Sequence, residues 1–162
     1  GALLPQREAH RGAAGGRLLS LVERGGNVRS MKMDAITVED VTPVVRENVA
    51  RESRLMTDEA KVYVPVGREL AGHEAVNHSA EEWVRGEAHT NTLEGYFSIF
   101  KRGMKGVYQH CRERHLHRYL AEFDFRYNRR VALGVDDRNR AVSALAGARG
   151  KRLMYKQPRN AV

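Results

Sequence analysis

The chain has very little cysteine, proline and tryptophan. Of its 162 residues, one is cysteine (Cys111), four are proline and one is tryptophan. A single thiol excludes an internal disulfide and a zinc site built from several cysteines. The sequence also lacks an apolar run of membrane-spanning length, and its first residues lack the apolar core of a signal peptide. From these absences we expect a cytoplasmic protein without membrane contact.

Acidic residues are outnumbered by basic ones. The chain has 28 lysines and arginines against 20 aspartates and glutamates, which gives a formal net charge of +8. Its hydrophobic content of 41% and charged content of 30% are typical of a globular protein, and the length suffices for one domain with a core. The positive balance favours a polyanionic partner such as nucleic acid, although ribosomal and membrane-surface proteins share it.

Short strand signals dominate the first half. Residues 17–23, RLLSLVE, are an apolar strand candidate, and RGGN at 24–27 supplies a Gly-Gly turn. Residues 28–33, VRSMKM, alternate in polarity as a second antiparallel strand would. RLMT at 54–57 and HEAVNHS at 73–79 are further short strand candidates.

A helix separates the hairpin from residues 54–57. Thr37 opens it with Asp40 as a capping-box partner, and four valines at helical spacing form its apolar face: Val41, Val44, Val45 and Val49. Pro43 lies too far inside for a first-turn proline, so we expect the start to slip toward Val41. Strand, helix and strand make a crossover unit, which predicts that the second strand is parallel to a neighbour.

The second half is helical. The pattern predicts a helix at 91–105, a connector at 106–110 and a longer helix at 112–130, and Asp136 can cap a last helix. The core face of the longer helix comprises Leu116, Tyr119, Leu120, Phe123 and Tyr127.

Two acids lie at positions where catalytic sites are often built. Asp58 follows a predicted strand, and Glu94 lies in a first helical turn beside an apolar stripe, with 35 residues between them. Two carboxylates from different elements suit magnesium or manganese, and paired metals serve phosphodiester chemistry. Structural roles explain the same residues, since aspartate is common in turns and a first-turn glutamate complements the helix dipole. Composition and spacing leave both interpretations open.

A resemblance favours the chemical interpretation. Residues 89–130, HTNTLEGYFSIFKRGMKGVYQHCRERHLHRYLAEFDFRYNRR, resemble the DDE transposases of bacterial insertion sequences, specifically the ISXO-like group. LVERGGNVRS, RLMTDEA and GVDDRNRAVSALAGARGKRLMY resemble other blocks of the same domain, in order, so the likeness spans 17–155.

The resemblance implies an α/β, RNase H-like fold, with a short mixed sheet, flanking helices and a helical C-terminal half. It also implies two divalent ions, Mg²⁺ or Mn²⁺, held by three acids. The second and third acids fall at Asp58 and Glu94, which would be catalytic metal ligands, and the family's basic residue seven positions later falls at Lys101. The implied activity is cleavage and strand transfer of double-stranded DNA at transposon ends and targets, by a homo-oligomer.

The first acid departs from the family pattern. The family carries it on the first strand, upstream of LVERGG, whereas Glu8 is the earliest acid here and no aspartate precedes Asp34. We therefore expect that the first strand is missing and that residues 1–16 are a disordered or non-family tail. On this hypothesis the chain is an N-terminally truncated or frame-shifted transposase, with a partial domain at 17–155 and a C-terminal tail at 156–162.

A basic helical segment predicts the DNA surface. Residues 101–130 contain nine lysines and arginines and three acids. They suit phosphate contacts, although a solvated helix face partly neutralised by Glu122 and Asp124 has the same composition. Candidate DNA-binding residues are His89, Asn91, Lys101, Arg102, Lys105, Arg126 and Arg130.

Other roles compete for these features. His78 and His89 have no cysteine partners and predict no zinc site, but His89 lies close enough to Glu94 to line the site. Three functions are weighed: an active transposase domain, a catalytically inactive remnant that binds DNA non-specifically, and a structural RNA-binding protein. The last gives no reason for the acids to fall on the family blocks.

Overall fold

The computed structural model describes residues 2–8, 17–58, 60–76, 84–85, 88–89, 91–109 and 111–151. At residues 2–8, 76, 84–85, 88–89, 91 and 93 it describes the backbone alone. The chain divides into two units, Gly1–Asn128 and Arg129–Val162.

A five-stranded mixed sheet forms the centre of the N-terminal unit. Its strands are β1 (Ala2–Glu8), β2 (Arg17–Glu23), β3 (Val28–Met33), β4 (Arg54–Asp58) and β5 (Gly72–Val76), in the spatial order β3-β2-β1-β4-β5. β1, β2 and β3 pair antiparallel, whereas β4 is parallel to both β1 and β5. The predicted hairpin and the predicted parallel strand are both confirmed. Two short strands, β6 (Val84–Arg85) and β7 (Ala88–His89), pair in a second sheet.

β1 lies in the middle of the sheet, where the sequence predicted no strand. Leu3 pairs with Glu23 on one side and with Leu55 on the other. The prediction that the first strand is missing and that a disordered tail begins the chain is therefore wrong for Ala2–Glu8; residues 9–16 lie outside the described residues. Local pattern fails here because ALLPQRE is apolar only at its start and contains a proline, so its strand depends on neighbours distant in sequence.

The pairing between β1 and β4 is short. It joins Ala2 to Arg54 and Leu3 to Leu55 and stops before Pro5, which has no N–H to donate. The antiparallel ladder with β2 continues to Glu8. Counted on from the Leu3–Leu55 pair, Gln6 of β1 corresponds to Asp58 of β4, although the ladder itself ends at Leu3.

Helices α1 (Val38–Asn48) and α2 (Val64–Gly67) cover one face of this sheet. Thr37 and Asp40 form the predicted capping box, so α1 begins at Val38 and encloses Pro43; the predicted slip toward Val41 is wrong. The buried valines of α1 pack with Tyr63 and Val66 against Leu19 and Leu21 of β2. The predicted apolar face of α1 is confirmed.

Helices α3 (Asn91–Gly103) and α4 (Leu116–Asn128) contribute to the core on the other face. A π-helical turn, Met104–Tyr108, follows α3, and a 3₁₀ turn, Glu113–His115, precedes α4. This core comprises Leu18, Val22, Val28, Met56, Tyr96, Phe97, Phe100, Cys111, Leu116 and Leu120. Both predicted helices are confirmed, although part of the expected connector at 106–110 is the π-helical turn.

The C-terminal unit contains one helix in its described part. The turn Val131–Leu133 ends at Gly134, whose φ of 77° suits glycine. Helix α5 (Asp137–Ala148) then begins with the predicted cap, as the Asn139 amide donates to the Asp136 carboxylate at 2.7 Å. None of the helices in the described ranges is long and apolar enough to cross a membrane.

Candidate functional site

Asp58 is the last residue of β4 and is half-buried. Its Oδ1 accepts a hydrogen bond from the Ala60 amide at 3.1 Å. The buried Thr57 hydroxyl donates to the Asp58 carbonyl at 2.7 Å and lies 2.9 Å from Nε2 of His73. Because that hydroxyl hydrogen is already used, His73 must be the donor to Thr57, and burial lowers the pKa of His73. These bonds fix the backbone that presents the Asp58 side chain.

Glu94 lies in the first turn of α3 and is half-buried beside the apolar stripe of that helix. The stripe consists of Tyr96, Phe97 and Phe100, all at least 97% buried. The rings of Tyr96 and Phe97 meet edge to face, with centroids 5.5 Å apart. Glu94 is therefore carried by a helix turn that is packed firmly against the sheet.

The packing relates the end of β4 to the start of α3. Met56, two residues before Asp58, belongs to the same core cluster as Tyr96 and Phe97, two and three residues after Glu94. Side chains two apart on a strand share a face, so Asp58 lies on the face that α3 covers. The two predicted acids are thus carried on the same side of the sheet by elements that share a core.

Counted on from the Leu3–Leu55 pair, the β1 residue that corresponds to Asp58 is Gln6, and Glu8 is the last residue of β1. Within the described ranges, no three histidine, cysteine, aspartate or glutamate residues form a group that could hold a metal ion. Asp58 and Glu94 nevertheless fit Mg²⁺ in kind, because this ion is commonly held by one or two carboxylates together with water and substrate phosphates.

Basic residues continue from Glu94 along α3. Lys101 lies seven residues on, roughly 10 Å along the helix axis and on the same edge as Glu94. It is half-buried, whereas Arg102 and Lys105 are exposed. Asn91 begins α3 and His89 ends β7, but their side chains, like residue His78, lie outside what the structure describes.

One known protein family matches most of this chain. The sequence model of the ISXO2-like transposase domain matches residues 4–128. The chain belongs to the ISXO2-like transposase family. The match confirms the resemblance as far as residue 128, and the block at 134–155 lies beyond it. It begins within β1, so most of the expected non-family tail falls inside it. None of the curated proteins compared with the chain matches it.

Two of the predicted DNA contacts of this transposase domain differ in setting from the α3 cations. Arg126 is exposed, and its guanidinium lies 2.8 Å from the Glu122 carboxylate one turn away on α4. Arg130 belongs to the C-terminal unit, where it precedes the turn Val131–Leu133. Arg126 therefore carries a charge that Glu122 already balances in part.

Asp124 is a residue whose role in the transposase domain the sequence did not indicate. Its Oδ1 accepts the Tyr96 hydroxyl and its Oδ2 accepts the Ser30 amide, both at 2.6 Å. Burial raises the pKa of Asp124, and the bonds from Tyr96 and Ser30 oppose that rise. The interpretation of Asp124 as a neutralising charge on a solvated face is wrong. Its position four residues after Leu120, on the apolar stripe of α4, was the available signal.

Proposed function

We propose that this chain is the catalytic domain of a DNA transposase, in which Asp58 and Glu94 bind Mg²⁺ or Mn²⁺ for cleavage and joining of phosphodiester bonds at transposon ends. Family membership indicates DNA transposition. The finer proposal is supported by the core that Met56 shares with Tyr96 and Phe97, since it carries both acids on one side of the sheet.

An RNase H-like fold is part of this proposal. The resemblance implies a sheet whose first strand is central, and β1 lies between β2 and β4. β4 runs parallel to β1, so the end of β4 that carries Asp58 and the end of β1 that carries Gln6 and Glu8 are at the same edge. Such edges are where α/β proteins build their sites.

The residues of the chain have separate roles in this proposal. The carboxylates of Asp58 and Glu94 would hold the divalent ions through hard oxygen atoms. Such ions would supply activation of the attacking water or 3′ hydroxyl and stabilisation of the leaving oxygen. Lys101 provides a point charge for the DNA backbone beside the scissile phosphate, and Arg102 and Lys105 extend that surface along α3.

One observation favours a second function, that of a catalytically inactive protein that binds DNA non-specifically. Counted on from the Leu3–Leu55 pair, the β1 residue that corresponds to Asp58 is Gln6 rather than an acid. A glutamine offers a neutral oxygen, so the site has one negative charge fewer than a set of three acids and would bind a divalent ion more weakly.

The Gln6→Asp variant tests both functions in one assay. Cleavage and strand transfer of DNA carrying transposon ends would be measured with Mg²⁺ or Mn²⁺ for the wild-type chain and for Gln6→Asp. Each is repeated with Asp58→Ala and with Glu94→Ala. Asp34→Ala is the matched control, because the Asp34 carboxylate is fully exposed just after β3.

The expected result is metal-dependent activity that rises in Gln6→Asp and disappears with either site substitution but not with Asp34→Ala. An inactive wild type and an active Gln6→Asp would support the inactive remnant while retaining the site. If no chain is active, or if activity survives the loss of Asp58 and Glu94, the proposed site is wrong.

A further inference from the structure

Tyr96 is held from two sides at the start of α3. Its hydroxyl donates to Oδ1 of Asp124 at 2.6 Å and accepts from the Ser30 hydroxyl at 3.0 Å. The ring is 98% buried and meets Tyr127 edge to face, with centroids 5.4 Å apart. One side chain of α3 is thus bonded to both β3 and α4.

These bonds form a directed chain. The Ser20 hydroxyl donates to Ser30 at 2.8 Å, Ser30 donates to Tyr96, and Tyr96 donates to the Asp124 carboxylate. Each hydroxyl donates once, and the carboxylate is the final acceptor. Ser20 and Tyr96 are buried and the other two members are half-buried, so the connected network resists rearrangement of any one member.

The network lies in one transverse row of the sheet. Ser30 pairs with Ser20, and Ser20 pairs with Gln6 of the central strand β1, which is next to β4. On the same face of β2, Leu18 and Val22 belong to the core. Tyr96 is therefore bonded to the row that contains Ser20 and Ser30.

Glu94 lies two residues before Tyr96, in the same helical turn. The apolar contacts of Phe97 and Phe100 hold α3 on the sheet but are non-directional, so they tolerate small rotations of the helix. A functional carboxylate has to be held within about 0.5 Å and 10–20° of its productive geometry. Hydrogen bonds at Tyr96 supply that directional restraint.

We propose that Tyr96 and Asp124 are positioning residues, which fix the first turn of α3 to Ser30 of β3 and to α4, and so set the position of Glu94 relative to the sheet that carries Asp58. The inference rests on the proposed function, in that Asp58 and Glu94 act together on a metal ion. Neither Tyr96 nor Asp124 contacts that ion in this account; both act through the backbone of α3.

Two measurements on the full chain test this role. The first is amide hydrogen exchange of residues 95–98, and the second is Mn²⁺ affinity from the paramagnetic resonance signal of free Mn²⁺. They are applied to Tyr96→Phe and Asp124→Asn, with Asp58→Ala defining binding at the site. Val45→Ala is the stability control, because Val45 is fully buried in the α1 cluster on the opposite face of the sheet.

Both network variants are expected to accelerate exchange in residues 95–98 about tenfold more than in α1, because they free this turn locally. They are also expected to weaken the Asp58-dependent Mn²⁺ affinity about tenfold, as loss of an orienting partner commonly does. Val45→Ala should lower stability without either effect.

Three results would count against these conclusions, and they are distinguishable. Exchange in residues 95–98 that rises no more than in α1 overturns the positioning role whether or not metal binds. Unchanged Mn²⁺ affinity in Tyr96→Phe overturns it as well. If wild-type Mn²⁺ binding is insensitive to Asp58→Ala, the proposed function fails, and the exchange data alone decide whether the network holds the turn.

Discussion

The side-chain amide of Asn128 satisfies both backbone polar groups of Val28. Val28 N donates to Oδ1 at 2.6 Å, and Nδ2 donates to the Val28 carbonyl at 2.8 Å. One turn earlier on α4, Asp124 accepts the Ser30 amide. β3 is an outer strand of the sheet, so α4 supplies the hydrogen bonds that a further strand would make.

Asn128→Ala is expected to lower the free energy of unfolding by about 1–3 kcal/mol, because it removes two hydrogen bonds and leaves a partly buried N–H and C=O without this partner. Urea unfolding at neutral pH would measure the change. Asn139→Ala, at an exposed position in the first turn of α5, is the control and should shift stability by less than about 0.5 kcal/mol. If Asn128→Ala also lowers the free energy of unfolding by less than about 0.5 kcal/mol, the outer edge of β3 does not need this side chain.

Asp124→Asn is expected to change how stability depends on pH. Burial raises the folded-state pKa of Asp124 above its unfolded value, against the bonds from Tyr96 and Ser30 and the charge of Arg29. The folded chain then binds more protons between the two pKa values, so the contribution of Asp124 is fully present below the unfolded pKa and is lost as pH rises through the folded pKa. Across that window the wild type should lose stability relative to Asp124→Asn. A stability difference between the wild type and Asp124→Asn that is constant with pH would contradict the raised pKa.

Gly103→Ala and Gly95→Ala, both in α3, should have opposite effects on stability. A methyl group at Gly103 would lie 2.3 Å from Cζ of Phe123, whose ring is itself packed edge to face on Phe100. Overpacking costs about 1–3 kcal/mol and helix propensity returns up to about 1 kcal/mol, so Gly103→Ala should destabilise by about 0–3 kcal/mol. At Gly95 the methyl meets no described heavy atom within 4 Å, and stability should rise by up to about 1 kcal/mol. Thermal unfolding of both variants checks the sign, and a Gly103→Ala chain more stable than Gly95→Ala would refute the close approach.

The salt dependence of DNA binding should separate Arg102 from Arg126. Arg102 is exposed on α3, whereas Arg126 is paired with Glu122. If Arg102 contacts a phosphate, Arg102→Ala should reduce the slope of log K against log salt by about 1. Arg126→Ala should weaken DNA binding, because the negative charge of Glu122 is left uncompensated. It should change the slope little. Titration of a fluorescent DNA duplex at several salt concentrations measures both, and equal slopes for the two variants would argue against the distinction.

Elements with local signals were predictable from the sequence. The Gly-Gly hairpin, the Thr37–Asp40 capping box and the Asp136 cap each depend on a few neighbouring residues, and each is present. Local patterns likewise placed Asp58 at the end of a strand and Glu94 in a first helical turn, as the structure has them.

Features made by distant residues were not predictable in this way. β1 exists through pairing with residues 18–23 and 54–55, and its own pattern is weak. Asp124 was interpreted as a surface charge. A helix pattern does not show that the Ser30 amide, on an outer strand distant in sequence, needs an acceptor. The register count that matches Gln6 to Asp58 required the pairing of β1 with β4.

The hydrogen bonds from α4 to the outer edge of β3 also set an order of events during synthesis. Val28 and Asn128 are 100 residues apart in sequence, so a nascent chain presents the hairpin of β2 and β3 long before α4 can cover its outer edge. Hairpins form locally and early, and an open edge strand is a template for pairing with other chains. The interval before residue 128 leaves the ribosome is therefore the one in which this chain most needs a chaperone. Ribosome-bound chains ending before α4 should recruit more chaperone than those that include it, and equal recruitment would refute this order.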